Sequence, residues 1–283
     1  MGKDAQKLKD DNCPICLKKS KIWVKLPDLT LLRCKCGHCF TSIKSIRRKE
    51  EYSLSYFKKI HKNWFENPNF RLFNKIAEEI KKNPNKSILD VGCGDGAFLI
   101  HIKKYFSTRI LVGLDLAKIA PPENGIIFLT KDFMSHKFNK KFDVIVTLAV
   151  IEHLHDVNSF VNKIYKSLNK EGTAYIMTIN QSGILYNLAN FFRLIGFQSF
   201  FIRLYDKHHL NHFSQKSLST LLTKNGLFKI TKLLDHNIPL KAVDFPSMHP
   251  IKKFILFVGV AAIFLLGKIT RKSYSQTLIV KKI

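Results

Sequence analysis

Ser87-Ile88-Leu89-Asp90-Val91-Gly92-Cys93-Gly94-Asp95-Gly96-Ala97-Phe98-Leu99 is the stretch on which the fold is read. An apolar run too short for a helix meets a glycine-rich turn, and apolar residues then recur at helical spacing through Phe98, Leu99, Ile102 and Tyr105. This is the opening strand, turn and helix of a doubly wound α/β sheet, whose ligand lies at the carboxyl edge of the strand. Gly92 and Gly94 let that ligand approach the backbone. Gly92-x-Gly94-x-x-Ala97 also fits the dinucleotide fingerprint. Charge argues against it, because Asp90 and Asp95 flank the turn and would repel a pyrophosphate seated on the helix N-terminus. Nor does the chain hold a Tyr-x-x-x-Lys pair, which a short-chain reductase needs.

Two carboxylates beside the turn suit a cationic ligand, and S-adenosylmethionine carries a sulfonium and an α-amino group. The next elements continue the pattern. Residues 109–115 form a second apolar strand ending in Asp115, about twenty residues past the turn, where a carboxylate can accept both ribose hydroxyls. Ile126–Leu129 makes a third strand, with Asp132 placed to accept from an adenine amino group and Phe133 to cover the ring; a surface loop explains Asp132 equally well. Phe142–Leu148 is a fourth strand, followed by Ala149-Val150-Ile151-Glu152-His153-Leu154 and a helix to Leu168, and Gly172–Ile179 supplies a fifth.

With these residues in view, positions 87 to about 233 resemble a class I S-adenosylmethionine-dependent methyltransferase. The likeness rests on Leu89 to Gly96, Asp115, Phe142-Asp143-Val144-Ile145 with Glu152-His153-Leu154, and Leu168-Asn169-Lys170-Glu171-Gly172. The last resembles the family's L-x-P-G-G turn, with Lys170 and Glu171 replacing Pro and Gly. His209-Leu210-x-x-Phe213-Ser214 and the following Leu218, Leu221, Leu222 and Gly226-Leu227-Phe228 resemble the tail of one bacterial and archaeal subgroup. Members of that subgroup often carry an N-terminal zinc ribbon and a Tyr-x-x-x-Tyr step, here Tyr52 and Tyr56. The resemblance implies a Rossmann-like, seven-stranded doubly wound sheet over residues 87–283. It implies methyl transfer to a small molecule, a sugar or a lipid-linked intermediate of glycan or quinone synthesis. Donor contacts are then expected from Asp90, Gly92, Cys93, Gly94, Gly96, Asp115, Asp132, Phe133 and Thr147.

Five of the six cysteines lie between Cys13 and Cys39, a density that points to metal in a reducing compartment. Cys13-Pro14-Ile15-Cys16 and Cys36-Gly37-His38-Cys39 have the spacing of zinc knuckles, which predicts a small zinc ribbon over residues 1–45 with Cys13, Cys16, Cys36 and Cys39 as ligands and Cys34 as the alternative fourth. A closed four-sulfur site is structural. Short strands are expected over Ile22–Leu32, and a helical linker or lid over 46–86, with Phe70, Phe73, Ile76, Ala77 and Ile80 at helical spacing.

At 283 residues and 46% hydrophobic the chain is too apolar for disorder, and 47 Lys and Arg against 21 Asp and Glu give +26. That surplus admits an anionic partner, although a Lys-rich compositional bias explains it equally well. The opening residues hold no apolar run, so a cytoplasmic protein is expected, with peripheral contact at the inner membrane surface as an option. Transfer to a hydroxyl needs a base, and His153 and His209 are the candidates. Ubiquinone-pathway relatives bind a divalent metal through Glu-x-x-Glu-His, but here Ala149 occupies the first Glu position. The Phe-rich insertion 181–213 is expected to cover an apolar acceptor. An apolar helix over 250–268, flanked by Lys252, Lys253 and Lys268, either lies on a membrane or is buried. RNA is the rival acceptor, with the basic N-terminal region as its footprint; no Asn/Asp-Pro-Pro-aromatic motif follows the fourth strand and no catalytic Cys pair appears.

Overall fold

The strands read between residues 87 and 179 assemble into one sheet. The computed structural model describes residues 11–42, 62–82, 87–105, 110–118, 120–205, 208–245 and 247–283. The predicted Tyr52 and Tyr56 pair and residues 46–61 and 83–86 of the linker lie outside these. The N-terminal strands are β1 (Lys21–Lys25), β2 (Thr30–Arg33) and β3 (Cys39–Thr41), followed by helices α1 (Lys62–Glu66) and α2 (Phe70–Lys81). In α2, Leu72, Phe73, Ile76, Ala77 and Ile80 are buried along one face, and the Asn69 side chain caps its N-terminus by accepting from the Leu72 N–H at 3.2 Å.

The doubly wound part opens with β4 (Ile88–Val91), α3 (Ala97–Lys103), β5 (Leu111–Asp115), β6 (Ile126–Thr130) and β7 (Phe142–Leu148). It continues through α4 (Val157–Ser167), β8 (Leu168–Ile179), α5 (Ile184–Leu194), α6 (Ser199–Leu204), the two-residue β9 (Asn211–His212), α7 (Gln215–Thr223), β10 (Phe228–His236), α8 (Pro250–Ile269) and β11 (Ser275–Lys282). Seven strands form the sheet in the order β10-β11-β8-β7-β4-β5-β6. Pairing is parallel from β6 to β8 and antiparallel on both sides of β11. The central strands are buried on both faces and mostly apolar, as a parallel sheet covered by helices requires.

One expectation needs correcting. The fifth strand begins at Leu168, not Gly172, and Glu171 within it takes φ 61°. This is the position where the related turn has glycine, and a side chain there works against left-handed backbone sterics. A second surprise is the reach of the N-terminal module. β3 pairs antiparallel with β9, Cys39 opposite His212 and Phe40 opposite Asn211, making a separate sheet in the order β1-β2-β3-β9. Ile15, Leu32 and Phe40 join the same hydrophobic cluster as Leu89, Ile145 and Leu278, so the module shares a core with the large sheet.

Glu171→Gly removes the left-handed strain at the cost of one exposed ion pair with Lys281 at 3.4 Å. A gain of about 1 kcal/mol is expected, read as a rise of roughly 2–4 °C in melting temperature; an unchanged or lower melting point would show that the turn carries no strain.

Candidate active site

Because β4 lies between β5 and β7, the chain leaves it in one direction and returns on the other side, opening a crevice at the carboxyl ends of these strands. A cavity of about 930 Å³ fills this crevice, walled by the 90–95 turn, Asp115, Asp132, Phe133, the 148–154 segment, His209 and faces of α5, α6 and α8. The turn is shaped by glycine. Gly92 takes φ 73°, and a Cβ there would come within 2.4 Å of Val150 Cγ2; at Gly94, φ 54°, it would meet Phe65 Cε1 at 2.8 Å.

Asp90 is 2% exposed, and its Oδ1 has no hydrogen-bond partner among the described residues. Burial, then the neighbouring charges of Asp115 and Asp95, push its carboxyl up to about 8. Asp115 is oriented by backbone, its Oδ2 accepting from the Gly94 N–H and its Oδ1 from the Ala117 N–H, both at 2.9 Å. Asp132 accepts from the Met134 and Ser135 N–H groups at 3.0 and 3.2 Å, which fixes the turn that presents buried Phe133. Asp90, Gly92, Cys93, Gly94, Asp115, Asp132 and Phe133 thus line one cavity. An unpartnered buried carboxyl and a turn too tight for side chains fit a cationic, close-lying ligand such as S-adenosylmethionine.

Two of the expected donor contacts do not reach the cavity wall. Thr147 is fully buried in β7 with no hydrogen-bond partner for its hydroxyl among the described residues, because strand alternation turns it to the side of Ile145. Gly96 is the left-handed cap of α3, where a Cβ would meet Phe128 at 2.6 Å, so its part is structural.

The other half of the cavity holds the titratable groups. Ala149 takes φ 57°, rare for a residue with a side chain, and turns the chain from β7 into a short helical turn at Ile151–His153. Glu152 is 1% exposed, its Oε2 has no partner among the described residues, and burial raises its carboxyl to about 7. His153 Nδ1 donates to the His208 carbonyl at 3.0 Å, and the rings of His153 and His209 lie 4.8 Å apart. One ligand atom from each of Glu152, His153 and His209 falls within 4.8 Å of the others, a spacing that can share a cation or pass a proton. What places His209 has no local signature in the chain. Thr41 of β3 donates its hydroxyl to the His209 carbonyl at 2.8 Å, and the Thr41 N–H donates to the Leu210 carbonyl at 2.9 Å.

The cysteine cluster differs from the preferred ligand set. Cys13, Cys16, Cys34 and Cys36 converge, with Sγ pairs 3.6 Å (Cys13, Cys36) and 3.4 Å (Cys16, Cys34) apart. Tetrahedral zinc with bonds near 2.3 Å separates its sulfurs by about 3.8 Å, so these four fit the ion. Cys39 is excluded, because β3 turns it into an apolar cluster with Leu31, Tyr186 and Phe201, where burial raises its thiol to about 12. The first knuckle is tied to the large domain by Asn158, which donates to the Pro14 carbonyl at 2.5 Å, and by Lys224, which donates to the Ile15 carbonyl.

This fold and this divided cavity define a class I S-adenosylmethionine-dependent methyltransferase. A family model described as "Methyltransferase domain" matches residues 58–232, and the chain belongs to that family. It is 28% identical over 173 residues to a ubiquinone biosynthesis O-methyltransferase of Bartonella tribocorum, covering 57% of this chain and 68% of that protein. It is 30% identical over 164 residues to the Rickettsia prowazekii protein of the same name, covering 51% and 64%. The structure of a plantazolicin methyltransferase in complex with a pentazolic desmethylPZN analog and SAH aligns at a TM-score of 0.53 and 20% identity, over 81% of this chain and 93% of that one, and shares the fold.

Cys34→Ser is expected to lower zinc content to under about a tenth of wild type, while Cys39→Ser retains the ion; metal released per chain on thiol oxidation decides between the two ligand sets. Asp90 binds its proton more tightly folded than unfolded, 3.8 rising to about 8, so its contribution to stability is present in full below pH about 4 and lost as pH rises through about 8. Glu152 and Asp95 share that direction, so the comparison that counts is with Asp90→Asn, which should flatten the decline in melting temperature over the same window. Parallel declines would show that Asp90 is not the buried acid responsible.

Proposed function

We propose that the protein methylates a hydroxyl of an apolar, small or lipid-linked acceptor. The observation that carries this is the division of the cavity: carboxylates and glycine turn at one end, two histidines in the middle, and a wall of Leu185, Leu188, Phe192, Phe200, Ile255 and Val260 at the other. The similarity to proteins named as ubiquinone biosynthesis O-methyltransferases supports the same acceptor class. S-adenosylmethionine, when bound, supplies an electrophilic methyl group on sulfur. Asp90 and Asp115 would hold it, Asp90 facing its positive charge and Asp115, already fixed by backbone N–H groups, its hydroxyls. Phe133 would cover its ring.

On the acceptor side the chain positions and deprotonates. His209 Nδ1 is buried, which leaves Nε2 to take the hydroxyl proton as the oxygen attacks in line. His153, locked by His208, sets the neighbouring ring. The apolar wall excludes water, so the nascent oxyanion meets the methyl group rather than solvent. A second reading uses the compactness of Glu152, His153 and His209, which would let a divalent cation lower the acceptor's proton affinity directly.

His209→Ala is expected to lower kcat by roughly 10²–10⁴ with donor affinity unchanged, measured with radiolabelled donor against hydroxylated aromatic acceptors bearing a prenyl tail. Loss of wild-type activity on chelation, restored by added divalent ion, would favour the cation reading over the bare histidine. Label entering RNA and not the prenylated acceptor would overturn the acceptor class.

A further inference from the structure

α8 is apolar on every side, yet among its residues only Phe264 and Gly267 are buried. Its inner side, Ile255, Leu256, Gly259, Val260 and Ile263, lines the cavity. Its outer side leaves Phe254 67%, Leu265 60% and Ile269 71% exposed. α5 packs against it, and Phe191, Leu194, Ile195 and Phe197, at the end of α5 and just beyond, extend the same exposed apolar surface. A helix of this composition is stable only in a core or in contact with lipid.

Length alone, 20 residues or about 30 Å, would let α8 cross a bilayer. Topology forbids it. Residues 236 and 275 lie opposite each other in adjacent strands, so both ends of the 237–274 excursion are fixed to one edge of the sheet. The C-terminal end is also held, Asp235 accepting from the Ser273 N–H at 3.0 Å and Asn237 donating to the Phe264 carbonyl at 2.8 Å. With α8 across the membrane, the connector before it would have to return through hydrocarbon carrying Lys241 and Asp244, and Asp244 is instead bound by Asn63 of α1 at 2.7 Å. α8 therefore lies along a surface.

Charge identifies that surface. Lys252 and Lys253 at one end and Lys268, Arg271 and Lys272 at the other are all exposed, and residues 250–283 contain no acidic side chain. An apolar strip rimmed by cations matches an anionic lipid headgroup layer over acyl chains. We propose that α8, with the exposed end of α5 and the segment that follows it, docks the protein in the plane of an anionic bilayer, so that the wall of the acceptor cavity faces lipid and an amphiphilic acceptor enters sideways from the membrane. The entry route rests on the apolar-acceptor reading given above; the docking does not.

The test is co-sedimentation of the full chain with vesicles of phosphatidylcholine, with and without phosphatidylglycerol. Binding is expected to anionic vesicles, to weaken with salt, and to fall by about tenfold or more in Phe254→Glu/Leu265→Glu/Ile269→Glu, none of which lines the cavity, with donor binding by calorimetry unchanged. Should that variant fail to bind donor, Lys252→Glu/Lys253→Glu replaces it, with the same expected loss on anionic vesicles only. Wild type that stays in the supernatant when anionic vesicles are sedimented overturns the docking, as does a wild-type dimer that the triple variant converts to monomer without any change in vesicle binding. Vesicle binding together with methylation of water-soluble acceptors alone would keep the docking and overturn the entry route and the acceptor class.

Discussion

The position of β4 between two strands reached in opposite directions is the constraint on which the remaining structure hangs. A parallel pair forms on each side, Val91 opposite Leu114 and opposite Thr147, so the backbone groups at its carboxyl end have neighbours on both flanks and the turn beyond must rise out of the sheet. That turn can be tight only with glycine, and its tightness leaves Asp90 behind it, out of water and without a partner among the described residues. A carboxyl so placed is costly unless protonated or met by a cation. The sheet thus dictates a cation-seeking pocket before any ligand is considered, and a pyrophosphate would meet the wrong sign of charge at the same spot.

The N-terminal module is part of the catalytic edge rather than a separate attachment. Its β3 supplies the pairing surface for β9, and β9 begins two residues after His209. Around this seam most polar groups are buried and paired: His38 Nε2 lies 3.2 Å from Asn211 Oδ1, and Asn211 Nδ2 donates to the Leu154 carbonyl at 2.7 Å, while His212 Nδ1 is buried with no partner among the described residues. Burial lowers the His38 and His212 imidazoles to about 4 and about 3, keeping both neutral across the physiological range. A neutral ring can accept as well as donate, which lets the seam close without an unpaired charge. The cysteine cluster lies at the far end of the same small sheet, so a zinc ion there would stiffen the strands that hold the His209 backbone.

What could be read in the sequence follows the range of the interactions. Apolar runs ending in Asp90 and Asp115 and the glycine turn are local patterns, and each stands where its spacing put it; the period of α2 holds from Phe73 to Ile80, but Phe70 is exposed and Leu72 takes the buried place in the first turn. Cys39 misled because C-x2-C spacing is only a statistical guide to a knuckle, whereas strand alternation decides which side chains face inward. With Gly37 donating its N–H to the Cys34 carbonyl at 2.9 Å, the turn folds Cys34 and Cys36 to the same side and leaves Cys39 to β3. Thr147 misled in the same way, its position one residue short of the cavity wall at Leu148. The pairing of β3 with β9 had no local signature, since it joins residues far apart in the chain. The apolar helix expected over 250–268 runs from Pro250 to Ile269, with Pro250 in its first turn and His249 as its cap.

The cavity is one space with two chemistries, and the boundary between them is the 149–153 segment. On one side are carboxyls, two of them, Asp90 and Asp95, raised by burial, Asp90 also by the charges of Asp115 and Asp95. On the other side apolar side chains predominate, with Arg203 and Asp244 the charged groups among them. Ala149, with its left-handed backbone, lets the chain change direction within two residues, so that Val150 closes over Gly92 while Glu152 and His153 turn toward His209. A larger or charged residue at 149 would project into the space between the two halves, since its methyl group already forms part of the wall. The related pattern that places a carboxylate there would add a charge at the boundary; here the boundary is neutral except for Glu152, whose own carboxyl is raised by burial. A neutral boundary favours an acceptor that brings an apolar body up to the histidines, and so joins the division of the cavity to the exposed apolar helix that forms its outer wall.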